Sequence, residues 1–591
     1  MRTLAHVTHE AVHKVGGIGA VLEGLFTSPS YTRQVERTIL IAPLFDADGE
    51  TASRLGPDGD VLYSSLDGFT NHPLADAFSE IRRDYHVEIV YGRRRFRDEQ
   101  TGVHSNPEVV LIDVRRMSRA RVDQFKAALY RQFGIQSHRY ENSWDYEQYV
   151  RLAEPALRCL EALGAVGHGG SECVVIAHEF MGMPTALAAV PHRNRGFRTV
   201  FWAHECAPMR KIVEDHPGHD TMFYNVLSRA LAEGQYVEDV FGPQDWFFKF
   251  ALVEASEHCD NILAVGDQVV TEMRFLGPDF ASVPVELAYN GIPAWEVSPE
   301  QVAHSKRLMR RYAEILLGEK PDLIFSHVTR MALSKGLWRD IRVMEHLERH
   351  CRQTGQTGVL FVLSTELPRR RPEEIYHMER WWNWPVAHRE GPPDLTGGEA
   401  LFYAGVQEFN VRSRNLKIVL VNQFGWDSIT CGQRMPEEME FLDIRRGTDV
   451  EFGQSVYEPF GISPLEALCC GAVCVLSSVS GCAGFVGKVN EQRDVPNVIV
   501  ADYTAINGGP RDLKSLLAID RPYREEIERK VAARVADQIV QNLPADDHAR
   551  QAMLARGHQM AARMSWDVVA RDYFLPAIDR ACRRHTVLEV A

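Results

Sequence analysis

No run of about 18 uncharged apolar residues occurs among the 591, so no membrane-crossing helix is expected. The opening MRTLAHVTHE lacks the apolar stretch and small-residue cleavage site of a signal peptide, and a cytoplasmic protein is expected. The eleven cysteines are scattered, odd in number and never spaced C-x-x-C. That pattern sets aside a disulfide framework or a zinc ribbon, and buried free thiols such as Cys469 and Cys470 are expected instead. Positive charge is in short supply: 66 Lys and Arg against 80 Asp and Glu leave a net −14. The balance argues against a nucleic-acid or membrane surface but still permits a local cationic pocket. Internal repeats, heptads and low-complexity tracts are also missing.

What is present is ordinary globular composition, 45% apolar and 25% charged, in a chain too long for one core. Roughly two to four domains are expected from such a length. Short apolar or β-branched runs, RTLAHVT, RTILIAP, CVVIAH, RTVFWAH, DNILAVG, PDLIFSHV, GVLFVLS, LKIVLVN and AVCVLSS, alternate with segments of helical period. Alternation of this kind predicts parallel sheets wrapped by helices. The runs are too many for one sheet, and the turn-rich NGIPAWEVSPE (290–300) is the break nearest the middle. Two doubly wound domains facing across a cleft are expected, with ligands at the carboxyl ends of the strands. The stretches 80–110, with YGRRRFRDEQ, and 365–415, with RWWNWP, read as irregular.

Three stretches carry chemistry. In VYEPFGISPLEALCCGAVCV (456–475), Pro459 biases Glu458 toward an extended backbone and Gly461 permits a turn. Ser463 reads as an N-cap, Pro464 as the first helical residue and Glu466 as a capping-box glutamate. Glu466 is therefore either a cap or a ligand contact, whereas Glu458 has no capping role and sits where a carboxylate reaches a ligand. In HVTHEAVHKVGGIGAVLEGL (6–25), Gly16 and Gly17 at a helix start, beside Lys14, outline a phosphate seat. Neither the P-loop nor the dinucleotide fingerprint is matched, and a plain glycine turn explains the stretch equally. In LIFSHVTRMALSKGLWRDIRVMEHL (323–347), Arg330 and Lys335 follow a strand, either as a solvated loop or as part of a diphosphate site.

Together these stretches resemble glycogen synthases: EAVHKVGGIGAVL is similar to their K-V-G-G-I start, and YEPFGISPLEALCCGAVCV to the E-x7-E signature of retaining glycosyltransferases of the GT-B fold. SWDYEQYVRLAEPAL, VFWAHE, FYNVL, EASEHCDNILAVG, YNGIP, RMALSKG and SWDVVARDYF extend the likeness over nearly the whole chain. The resemblance implies an acceptor-side domain over 1–295, a nucleotide-sugar domain over 296–565, and a closing helix from about 566 to 591 that crosses back to the first. It implies that Lys14, Gly16 and Gly17 contact donor phosphates, with Arg330 and Lys335 doing so from the second domain. Glu458 would hold hydroxyls of the transferred sugar and Glu466 those of the ribose, with Gly461, Ile462 and Ser463 also lining the donor. His204 corresponds to the family histidine near the anomeric carbon.

The activity so implied is retaining transfer of glucose from a nucleotide-diphosphate glucose to the end of an α-1,4-glucan, with no metal or other cofactor. Two alternatives stay open: a small acceptor such as a sugar phosphate or glycerate, and a non-catalytic sensor of sugar nucleotides. Homo-oligomerisation stays open too. His178 and Glu179 follow a buried strand and are either packed or in contact with a sugar, and Asn290 of YNGIP is a further candidate sugar contact. EDHPGHD (214–220) has metal-ligand residue types, yet Pro217 and Gly218 make it read as a loop. RWWNWP suits either sugar stacking or a subunit contact, and YGRRRFR either a phosphorylated effector or solvent.

Overall fold

The computed structural model describes residues 2–13, 16–98, 101–166, 172–365, 369–491 and 495–588. The chain divides into two compact units: Met1–Met209, Leu231–Gly291 and Trp566–Ala591 form the first, and Arg210–Ala230 with Ile292–Ser565 the second. The segment Arg210–Ala230 thus belongs with the second unit, although it falls inside the range 1–295.

The first unit is built on a nine-stranded sheet. Its order is Val285–Leu287, Asn261–Ala264, Phe197–Ala203, Glu172–His178, Arg2–Val7, Arg37–Pro43, Glu108–Asp113, Glu88–Arg94 and Gly59–Ser64. All neighbours pair in parallel except at the far edge, where Glu88–Arg94 runs antiparallel to both Glu108–Asp113 and Gly59–Ser64. The 80–110 region is accordingly not irregular, because it contributes Glu88–Arg94 and the start of Glu108–Asp113. Its arginines hid the strand: in Glu88–Arg94 the middle residues are buried while Arg93 and Arg94 lie at its outer end.

The second unit holds a six-stranded, wholly parallel sheet in the order Leu416–Val421, Gly358–Ser364, Leu323–Thr329, Val450–Gly453, Val473–Ser477, Val498–Ala501. Numbered within the unit this is 3-2-1-4-5-6, the doubly wound order. Successive side chains of the central strands go to opposite faces. Val359, Phe361 and Leu363 join one apolar cluster, whereas Leu360 and Val362 join the other. Burial on both faces is what makes such strands continuous apolar runs in the sequence. Ser298 opens the helix Pro299–Leu317 with a reciprocal capping box to Gln301, which starts the second unit's helical layer at the break near 290–300. The 365–415 region is also ordered into helices, Pro372–Trp382 and Gly398–Arg412. All nine runs anticipated as strands are strands.

All eleven cysteines are free and buried, and no helix among the described residues is long and apolar enough to cross a membrane.

Candidate functional site

A doubly wound sheet opens a crevice where its strand order reverses. In the second unit that point lies between Leu323–Thr329 and Val450–Gly453, and the loops leaving their carboxyl ends carry Arg330, Lys335 and Glu458. The two loops are stapled together: the backbone N–H groups of Val456 and Tyr457 donate to Ser334 O at 2.8 and 3.2 Å. This brings the Lys335 ammonium onto the Glu458 carboxylate, which also accepts a 3.1 Å bond from Ser455 Oγ. Burial pushes the Glu458 carboxyl upward, but Lys335, Ser455 and the nearby Arg330 outweigh it and hold the group below the ordinary glutamate value. Gly461 completes the corner. Its φ is +89°, and a Cβ there would stand 2.9 Å from Glu458 Cγ, so both backbone and space favour glycine.

The expected cap at 463–466 is replaced by another device. Ser463–Leu465 is a short 3₁₀ turn, preceded by Ile462 and with no side-chain cap. Ser463 Oγ donates to Val328 O at 2.7 Å and accepts from Arg445 Nη2 at 2.8 Å. Glu466 pairs with the same guanidinium, which also reaches Glu451 at 2.8 Å. Arg445 is fully buried. A desolvated cation demands compensation more strongly than an N–H group at a helix start does, and it draws the hydroxyl and the carboxylate away from capping. Arg445 gave no sequence signal, since it lies in an unremarkable helix 18 residues upstream of the serine it binds.

Behind this edge lies a buried network. Arg339 forms a two-pronged pair with Asp220 at 2.8 Å and donates from Nε to Glu528. It also donates to Gln454 O and Ser455 O, so it fixes the strand end that leads to Glu458. Asp220 is the last residue of EDHPGHD, and its carboxylate is thereby committed to Arg339. Among the described residues no group of three or more His, Cys, Asp or Glu is arranged to hold a metal.

The first unit reverses its order between Arg2–Val7 and Glu172–His178, and its candidate residues gather there likewise. Lys14 lies outside the described residues. The N–H groups of Gly16 and Gly19 both donate to Glu10 Oε2 at 2.9 Å. The helix start Gly17–Phe26 is therefore neutralised by a carboxylate of its own chain, which the phosphate-seat reading did not include. A Cβ at Gly17 would meet no described atom within 4 Å.

His178 is fully buried and hydrogen bonds His6 and His204 on either side, each at 2.9 Å. Burial, followed by the neighbouring imidazoles, lowers the pKa of all three rings, His6 and His204 to about 3. They are neutral at physiological pH. Glu179 follows with φ +58°, a left-handed conformation that costs a non-glycine residue about 1 to 3 kcal/mol. Its Oε1 accepts the Glu205 N–H at 2.6 Å, while Oε2 is buried without a partner. Burial and the nearby Glu205 carboxylate raise the Glu179 pKa well above the ordinary value. Asn290 is also buried, with Oδ1 unpartnered. Orphaned acceptors of this kind cost stability unless something meets them.

The tryptophans of RWWNWP divide. Trp384 is buried and donates to Asn422, and Trp382 donates to Asp394 under the Arg389 guanidinium. Only Trp381 of the three is exposed, at 63%, so most of this cluster is framework rather than a sugar platform.

No family model matches the chain, and no curated protein does. Solved structures do match. The catalytic domain of starch synthase IV from Arabidopsis thaliana, bound to ADP and acarbose, aligns over 99% of both chains at 12% identity with a TM-score of 0.51. The N-terminal domain of trehalose-6-phosphate phosphatase from Candida albicans aligns over 98% of this chain and 97% of its own, also at 12% identity and 0.51. At such identities the shared property is the fold, the GT-B class of two Rossmann-like domains.

Proposed function

We propose that the protein is a retaining glycosyltransferase that takes glucose from a nucleotide-diphosphate glucose and adds it to the non-reducing end of an α-1,4-glucan. The observation that carries the reading is the Lys335–Glu458 pair at the second unit's switch point, with Arg330 on the same edge. A cation held against a carboxylate suits a ligand that is anionic at one end and polyhydroxylic at the other. The likeness to a starch synthase domain bound to ADP and acarbose supports it in fold.

In this reading the glycosidic C1–O bond breaks and its electron pair goes to the diphosphate. Arg330 and Lys335 stabilise the charge that develops there. Glu458 accepts hydrogen bonds from hydroxyls of the sugar, and the acceptor hydroxyl attacks C1 on the face the leaving group departs from. Its proton passes to a leaving phosphate oxygen, so no pair of catalytic carboxylates is required. In the first unit His204, Glu179 and Asn290 are assigned sugar contacts, whereas His178, buried with both ring nitrogens bonded to His6 and His204, touches no sugar; in the second unit Gly461, Ile462, Ser463 and Glu466 line the donor. The chemistry asks for no metal.

The test is transfer of labelled glucose from adenosine, uridine and guanosine diphosphate glucoses to glycogen, with sugar phosphates and glycerate in parallel. Labelled polymer is the expected product. Label only in a small acceptor would replace the glucan, and donor binding without transfer to any acceptor would leave a sensor.

A further inference from the structure

We propose that His6 and His178 are positioning residues which, with Tyr31, form a directional hydrogen-bond relay that decides which ring nitrogen of His204 carries its proton. The contacts form one unbroken series. Thr38 Oγ1 lies 2.8 Å from Tyr31 OH, Tyr31 OH 3.3 Å from His6 Nε2, His6 Nδ1 2.9 Å from His178 Nε2, and His178 Nδ1 2.9 Å from His204 Nε2. Strand register creates it. In the parallel sheet the strand bearing His6 lies beside the strand ending at His178, which lies beside the strand that leads into His204. An aromatic sheath excludes water from the series. Phe26 meets His6 edge-on at 5.0 Å, and Trp202 stacks on His204 at 5.0 Å and on Phe574 at 4.9 Å.

A neutral imidazole carries one N–H, so each ring donates on one side and accepts on the other. Burial keeps all three rings in that neutral form. The relay then has only two fully satisfied states, related by reversing every bond at once. Tyr31 selects between them. We assign the state in which its hydroxyl donates to Thr38 Oγ1 and accepts from His6 Nε2–H. It follows that His178 Nε2–H donates to His6, His204 Nε2–H donates to His178, and His204 Nδ1 is left as an acceptor. No charge moves along the relay; what is transmitted is donor or acceptor character at the last ring.

Tyr31→Phe removes the acceptor for His6 Nε2–H. A buried N–H without a partner is rarer and costlier than an unmet lone pair, so the relay reverses and His204 presents Nδ1–H instead. In the full-length protein labelled with ¹⁵N-histidine, and with no donor present, long-range ¹H–¹⁵N spectra read the protonated nitrogen of each ring. His204→Asn identifies the His204 signals. The expected result is Nε2–H at His204 in the unmodified protein and Nδ1–H in Tyr31→Phe. His6→Leu leaves His178 without its acceptor and should cause the same reversal, which covers a Tyr31 variant that fails to fold. With His178→Phe added, Tyr31→Phe should leave His204 unchanged. The same His204 tautomer in the unmodified protein and in both single variants overturns the proposal.

The consequence for turnover rests on the proposed glycosyl transfer: one misdirected hydrogen bond lowers the rate up to about tenfold. The spectra need no substrate. A protein that transfers no sugar yet reverses its relay would sink the functional reading alone, and an active protein with a fixed tautomer would sink the relay alone.

Discussion

The two units place their candidate residues at the same topological position and prepare them in opposite ways. At the switch point of the second unit the groups are charged and paired: Lys335 on Glu458, and Arg445 on Glu451 and Glu466. At that of the first unit they are desolvated and neutral, three imidazoles in series and a carboxyl raised far above its ordinary pKa. Paired charges hold cations at the sheet edge in a compensated state, where they can also meet an anion. Neutral, preoriented donors and acceptors suit hydroxyls, whose recognition depends on direction rather than charge.

The harshest way to break the comparison is Lys335→Ala. If Lys335 stabilises developing phosphate charge, transfer should fall by about 10² to 10³, or roughly 3 to 4 kcal/mol. Steady-state rates with saturating donor check this; an unchanged rate with donor still bound would remove Lys335 from the chemistry.

Next in size is acid stability. His6 and His204 titrate near 3 in the folded protein but near 6.5 when unfolded. The unfolded state therefore binds more protons between those values, and stability falls as pH drops through that window. Glu458, with a lowered folded value, contributes stability that is complete above about pH 4 to 5 and is lost only as pH falls below it. Glu179 and Glu254 of the same unit, both raised above the ordinary carboxylate value, work the other way and regain stability as pH falls. Hydrogen exchange followed from pH 7 to 4 should therefore show the strands that carry His6 and His178 opening at higher pH than the strands around Glu458. Simultaneous opening would erase the distinction.

Gly24→Ala should cost about 1 to 3 kcal/mol, the usual range for overpacking. A Cβ at Gly24 would lie 2.1 Å from Trp566 Nε1, and one at Gly291 would lie 2.6 Å from the same tryptophan. Thermal denaturation measures the loss. The smallest effect on stability is expected at Gly17→Ala, where a Cβ meets no described atom within 4 Å. Tm should hardly move, and a large drop in transfer at unchanged Tm would mark Gly17 as a place where ligand comes close.

Much of this was legible because parallel strands buried on both faces are uniformly apolar. The nine runs stood out for that reason, and with them the doubly wound class. The antiparallel strand Glu88–Arg94 did not, because arginines at its end break the run. Arg330, Lys335 and Glu458 were legible as polar residues just past strand ends. Ser463 reads as an N-cap and Glu466 as either a cap or a ligand contact, but the buried Arg445 outranks the local capping rule and takes both. Glu10 carries no sequence signal: nothing in HVTHE distinguishes a carboxylate that turns back onto two amides from one that faces solvent.

By itself the sequence determined the nine apolar runs that become strands, where polar groups sit relative to their ends, and a net charge of −14. Tertiary structure alone decided the partners. His6, His178 and His204 are separated by 172 and 26 residues, and only sheet order and register bring their rings within 2.9 Å. Arg445 became the hub of two carboxylates and a serine because a fully buried guanidinium must be compensated. Periodicity and propensity are local quantities, whereas burial and hydrogen-bond pairing are properties of the packed whole. The strands buried on both faces could therefore be read from the chain, and the pairings could not.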